Sequence, residues 1–85
     1  MVSYELKIKK EAEKELRSLP KVDLKRVIQK IRSLGDNPRP QGAEKLKGEE
    51  GYRIRQGDWR VVYLIDDATK IVRVIRIGHR REVYR

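Results

Sequence analysis

The 85-residue sequence predicts a two-layer α+β domain: an N-terminal strand, a helical hairpin, then a three-stranded antiparallel meander. Three observations carry that expectation. Residues 2–8 alternate apolar and polar side chains. Residues 10–34 carry apolar side chains at helical spacing. Residues 51–77 return to alternation around turn-forming pairs.

Val2, Tyr4, Leu6 and Ile8 alternate with Ser3, Glu5 and Lys7, which gives the first strand over 2–8. Ala12, Leu16 and Leu19 then stand at i, i+4 and i+7 among charged residues, predicting an amphipathic helix of about ten residues from Lys10. Leu19-Pro20 ends it, because the residue before a proline is pushed out of the α region while the proline suits the first turn of a new helix. Leu24, Val27, Ile28, Ile31 and Leu34 form the second helical stripe, with Gly35 expected at C′. Gly35 to Gly42 is a loop by composition, and Ala43 to Gly48 reads as a solvated connector anchored by Leu46. Neither flanking half has a complete core, so residues 1–85 are expected to form one domain.

Gly51 to Tyr63 is the most informative stretch. Gly57-Asp58 fits a two-residue turn with glycine at the first central position, where φ must be positive. On that register Gln56 faces Trp59, Arg55 faces Arg60, Ile54 faces Val61 and Tyr52 faces Tyr63. Tyr52, Ile54, Trp59, Val61, Tyr63 and Ile65 then share one side, and Arg53, Arg55, Arg60 and Val62 the other. Opposed like charges in a sheet cost roughly 0.2–1 kcal/mol per pair. Three convergent arginines, with no acid at the expected facing positions, suggest an open cradle for a polyanion. Asp66 to Thr69 is a turn, and Lys70 to Ile77 is a β-branched run suited to mid-sheet, with Arg73 and Arg76 free to face either way.

Composition narrows the partners. Twenty-two Lys plus Arg against thirteen Asp plus Glu give a net charge of +9, which favours nucleic acid or an acidic protein. There is no cysteine and only one histidine, so thiolate and histidine-rich metal sites are out, and no metal or other cofactor is expected. No apolar run reaches the roughly 18–20 residues that span a bilayer, so the expectation is a cytoplasmic protein without membrane contact. The chain closes on Gly78-His79-Arg80-Arg81-Glu82-Val83-Tyr84-Arg85, which mixes groups able to handle protons, bind phosphate and stack on a base. Gly78 is expected to let this segment leave the sheet sharply.

Lys45-Leu46-Lys47-Gly48, the hairpin from Tyr52 to Tyr63 and the closing Gly78 to Tyr84 together resemble the RelE family of toxins from toxin–antitoxin pairs, over essentially the whole chain. The resemblance implies a RelE-like, microbial RNase-like fold. It also implies a metal-independent, ribosome-dependent endoribonuclease that cuts messenger RNA in the A site, silenced by a cognate antitoxin in a hetero-oligomer. By position, the family's basic residues on the first hairpin strand match Arg53 and Arg55. Its transition-state arginine matches Arg60, its C-terminal arginine Arg80, and its near-terminal tyrosine Tyr84. Lys45, Lys47, Arg81 and Arg85 would add contacts to the nucleic acid. The chain departs from the best-known members where they have lysines, at Arg53, Arg55 and His79. Arginine does not give up its proton, so Arg53 and Arg55 do not serve as bases. Tyr84 is then the leading candidate for the base, and His79 or Arg80 for the acid. Two other readings stand beside this one: a ParE-like poison of DNA gyrase, and a non-catalytic module binding nucleic acid or an antitoxin.

Overall fold

The expected order of elements is present, with one short strand added. The computed structural model describes residues 3–47 and 51–79. In chain order the elements are β1 (Glu5–Ile8), α1 (Lys10–Arg17), α2 (Lys21–Asp36), β2 (Glu44–Lys45), β3 (Gly51–Gln56), β4 (Trp59–Asp66) and β5 (Ile71–His79). Among the described residues the strands form one sheet in the order β1-β5-β4-β3-β2, with β1 parallel to β5 and the other neighbours antiparallel.

Both helices lie on one face of this sheet. Ala12, Leu16 and Leu19 together with Val27, Ile31 and Leu34 pack against Ile54, Val61, Tyr63, Val72, Val74 and Ile77. These are the apolar stripes of the helices meeting the alternate residues of β3, β4 and β5. The break between helices falls at Leu19-Pro20 as expected. α1 ends at Arg17, and Pro20 is the N-cap of α2 rather than a residue of its first turn.

Four local expectations are corrected. The first strand begins at Glu5, because its partner β5 begins at Ile71 and the Tyr4 N–H is instead bound by the Gly35 carbonyl at 2.7 Å; Val2 lies outside the described residues. Gly35 is inside α2, which continues to Asp36 with Asn37 as its C-cap. A Cβ at Gly35 would come within 3.3 Å of the Tyr4 carbonyl oxygen, so the glycine admits the lead-in to β1 and does not reverse the chain. The connector around Leu46 contains β2, whose Glu44 and Lys45 pair with Arg53 and Tyr52. Gly78, finally, continues β5 opposite Arg60 and makes no turn out of the sheet.

The turns agree with their chemistry. Gly57 has φ of +61° while Asp58 does not share a positive φ, which is the type II′ pattern. Asp66 Oδ1 accepts from the N–H groups of Ala68 and Thr69 at 3.0 and 3.1 Å, closing the β4–β5 connection. These bonds hold the Asp66 carboxyl below its ordinary range.

Candidate nucleic-acid interface

The β3–β4 register places Arg55 opposite Arg60, Ile54 opposite Val61 and Tyr52 opposite Tyr63. Because paired residues share a side, Arg53, Arg55 and Arg60 lie on the sheet face away from the helices. The neighbouring strand adds to them. A register shift between Val62 and Tyr63 puts Val62 opposite Arg76 and Tyr63 opposite Val74, leaving Ile75 as the extra residue of a β-bulge. Without that extra residue, Arg73 and Arg76 would point to opposite sides. With it, both start from the arginine side in register, Arg73 opposite Leu64 and Arg76 opposite Val62, but the Arg76 side chain turns to the sheet edge, its Nε 3.7 Å from Glu15 Oε2 of α1.

The three hairpin arginines sit in different environments. Arg55 is exposed and Arg53 half-buried, whereas Arg60 is only 4% exposed. The expected open cradle is therefore not open at Arg60. Its Nη1 donates to the carbonyls of Gly57 at 3.2 Å and Trp59 at 3.1 Å, so its guanidinium is drawn onto the hairpin turn. Gly78, its cross-strand partner in β5, brings no side chain against it.

An acid also stands among them, contrary to the expectation that none faces this group. Glu44 is the cross-strand neighbour of Arg53, and its Oε2 accepts from Arg53 Nη2 at 2.7 Å. That hydrogen bond, then the charge of Arg53, with Arg55 and Arg60 contributing, holds the Glu44 carboxyl below the usual range. Glu44, Arg55, Ile54, Gly42, Gln41 and Lys30 line an open hollow of about 320 Å³ beside this pair. Sequence reasoning missed Glu44 because a two-residue strand is too short to show alternation. The available signal was its place just before a turn and a β-rich run.

The face opposite has a different character. Lys45 is the partner of Tyr52 and so lies on the helix side of the sheet, apart from the arginines. There Arg39 donates to Asp67 Oδ2 at 2.9 Å and to Tyr52 Oη at 3.1 Å, while Tyr4 Oη donates to Asp67 Oδ1 at 2.6 Å. Arg39 and Tyr4 together hold the Asp67 carboxyl at about 2. Tyr63 donates to the Pro38 carbonyl at 2.7 Å, and burial pushes its phenol up to about 12. His79 is the partner of Trp59, edge-on to its ring at 5.8 Å, so it stands on the side opposite Arg60.

Comparison with known proteins decides the family. The model for the ParE toxin of type II toxin–antitoxin systems (parDE) matches residues 6–84. A relative from Methanocaldococcus jannaschii that bears the name toxin RelE1 is 32% identical, over 99% of this chain and 98% of its own. The chain belongs to the RelE/ParE family of toxins. RelE from the Pyrococcus horikoshii RelE–RelB complex superposes with a TM-score of 0.83 at 32% identity, covering 92% of this chain and 96% of that one. The isolated Escherichia coli RelE toxin gives 0.81 at 30% identity, covering 96% and 92%. This agreement extends to the mixed architecture of strand, two helices and antiparallel strands. Of the positions matched to the RelE family, Arg53, Arg55 and Arg60 share one face. Lys47 is exposed in the turn that follows β2, and Lys45 and His79 are on the other face. Arg80, Arg81, Tyr84 and Arg85 lie outside the described residues. Among the described residues no helix is long and apolar enough to cross a membrane.

Proposed function

We propose that this RelE/ParE-family toxin is a ribosome-dependent, metal-independent endoribonuclease that cuts messenger RNA in the A site. The observation that carries the reading is the convergence of Arg53, Arg55 and Arg60 on the face away from the helices. A planar guanidinium donates paired hydrogen bonds to phosphate oxygens, so this set can hold a backbone and stabilise a pentacovalent phosphorane. The cleavage is attack of the 2′-hydroxyl on the adjacent phosphorus, with departure of the 5′-oxygen, giving a 2′,3′-cyclic phosphate and a 5′-hydroxyl. Arg60, fixed by the carbonyls of Gly57 and Trp59, suits the transition-state charge, since a preorganised donor need not reorganise during reaction. Arg53 and Arg55 position the phosphate. The leaving-group proton has two candidate sources, His79, whose ring packs on Trp59, and Arg80. Tyr84 stacks on a base or assists proton transfer, and Lys47, Arg81 and Arg85 contact flanking RNA. The protein acts in the cytoplasm. Its partner is a cognate antitoxin, a reading supported by the solved RelB complexes of the E. coli and P. horikoshii relatives.

The test is a cleavage map on programmed 70S ribosomes with EDTA present. Wild-type protein cuts within the A-site codon and only with ribosomes, while Arg60→Ala is slower by about 10²–10³-fold, the usual loss for one such donor. The matching family model bears the ParE name, which makes poisoning of DNA gyrase the second reading. Intact messenger RNA with gyrase-dependent DNA breaks on expression would establish it instead.

A further inference from the structure

α2 carries a polar stripe that the proposed chemistry leaves unused. Arg26, Gln29, Lys30 and Ser33 stand at i, i+3, i+4 and i+7, so they share one face of the helix, beside the stripe of Val27, Ile31 and Leu34 that enters the core. With Gln56 at the end of β3 they line an open hollow of about 430 Å³. We infer that this hollow is a subsite for a nucleotide of the messenger strand flanking the scissile phosphate, in which Arg26 and Lys30 bind backbone phosphates and Gln29 and Gln56 hydrogen-bond the base; the inference rests on the nuclease reading.

The position of the hollow joins it to the arginine cradle. Lys30 also lines the hollow of about 320 Å³ that holds Arg55. Gln56 follows Arg55 in β3 and pairs with Trp59, so the two side chains start from opposite sides of one strand end. β2 pairs only with Tyr52 and Arg53, and among the described residues the β3 edge from Ile54 to Gln56 bears no partner strand on that side. A strand held at Arg55 can therefore pass over this bare edge onto α2.

Cations on the solvated face of a helix are common and by themselves indicate no ligand. The surroundings of this pair do. Like charges at i and i+4 repel, and among the described residues neither Arg26 nor Lys30 makes an ion pair that would offset the repulsion. No acid lines this hollow, and Glu44, the one acid lining the adjoining hollow, is bound to Arg53. The other lining groups are two amides and a hydroxyl, which donate as well as accept. Such groups read the edges of splayed single-stranded bases, glutamine pairing twofold with adenine. Four residues of helix also set Arg26 and Lys30 about 6 Å apart along the axis, the order of the separation between successive phosphates of an RNA strand. An acidic amphipathic peptide would need an apolar groove for its other face, and this hollow is polar throughout.

The test measures binding to programmed 70S ribosomes carrying one of two messages. One extends through the A site with a 2′-deoxy sugar that blocks cleavage, and the other ends at the P site. Ribosomal RNA is the same in both, so a contact with the messenger strand shows only with the longer message. For Arg26→Gln combined with Lys30→Gln, affinity with the longer message falls by about tenfold and its logarithmic salt slope by about 1.4, as for two phosphates of a single strand. Affinity with the shorter message is unchanged. An equal loss with both messages would assign the pair to ribosomal RNA and overturn the inference, as would affinity within about twofold of wild type with both. In parallel, Gln29→Ala combined with Gln56→Ala narrows the spread of cleavage rates across messages that differ at the nucleotides flanking the cut. An unchanged spread would overturn the contact with the base. Thermal melting at the wild-type temperature in both variants excludes unfolding as the cause. Where wild-type protein cuts and the variants match it, this inference falls alone; if wild-type protein leaves the messenger RNA whole, the nuclease reading falls and this one with it.

Discussion

Asp67 joins three parts of the chain through two short hydrogen bonds, one from Arg39 before β2 and one from Tyr4 before β1. Both favour the carboxylate, and its folded value of about 2 lies below the roughly 3.9 of an unfolded aspartate. The sign of the linkage follows. A depressed folded value stabilises the fold above the unfolded value, and that contribution is lost as pH falls through the folded one. Asp67→Asn should therefore melt below wild type at pH 7, with the gap closing between about pH 4 and pH 2. A gap that persists at pH 2 would assign the role to packing. This network was illegible in the sequence, where Tyr4, Arg39 and Asp67 are separated by up to 63 positions. The Glu44–Arg53 pair was hidden for a related reason: neither residue is unusual until β2 sets them side by side.

At the scale of elements, the β3–β4 hairpin was the most legible feature, because its turn and alternation are local properties that agree with one another. All four pairings expected from Gly57-Asp58 are present. Gly57 holds φ at +61°, and nothing lies within 4 Å of where a Cβ would stand. The cost of Gly57→Ala is then the left-handed backbone alone, about 1–2 kcal/mol, readable as a lower urea midpoint at unchanged slope. β5 was legible as a strand but not in its register. The bulge at Ile75 that starts Arg73 and Arg76 from one side is set by pairing with β4, and no residue type announces it. α2 overran its expected end for a similar reason. Gly35 suits a helix stop by propensity, but here it lies where β1 approaches closely, and packing prevails over local preference.

For the whole molecule, the two helices close the helix-side face of the sheet and leave the arginine side to carry charge. Leu34 is fully buried in this core. Leu34→Ala should lower stability by about 2–5 kcal/mol, a large share of the roughly 5–15 kcal/mol typical of such proteins. A urea unfolding curve checks it, and a loss under about 1 kcal/mol would mean that the core collapses into the vacated space. Fold class, both helices, the hairpin and the cationic face of β3 and β4 are all legible in the sequence alone. Periodicity, turn chemistry and charge are written in residues close along the chain. Packing and strand pairing set the rest: β1 joins the sheet beside β5, Arg60 is buried, His79 and Lys45 face away from the arginines, and Glu44 stands among them. Each of these depends on which distant strands meet and in what register. A one-residue shift in pairing reverses the side every following residue faces, and only the packed sheet fixes that choice.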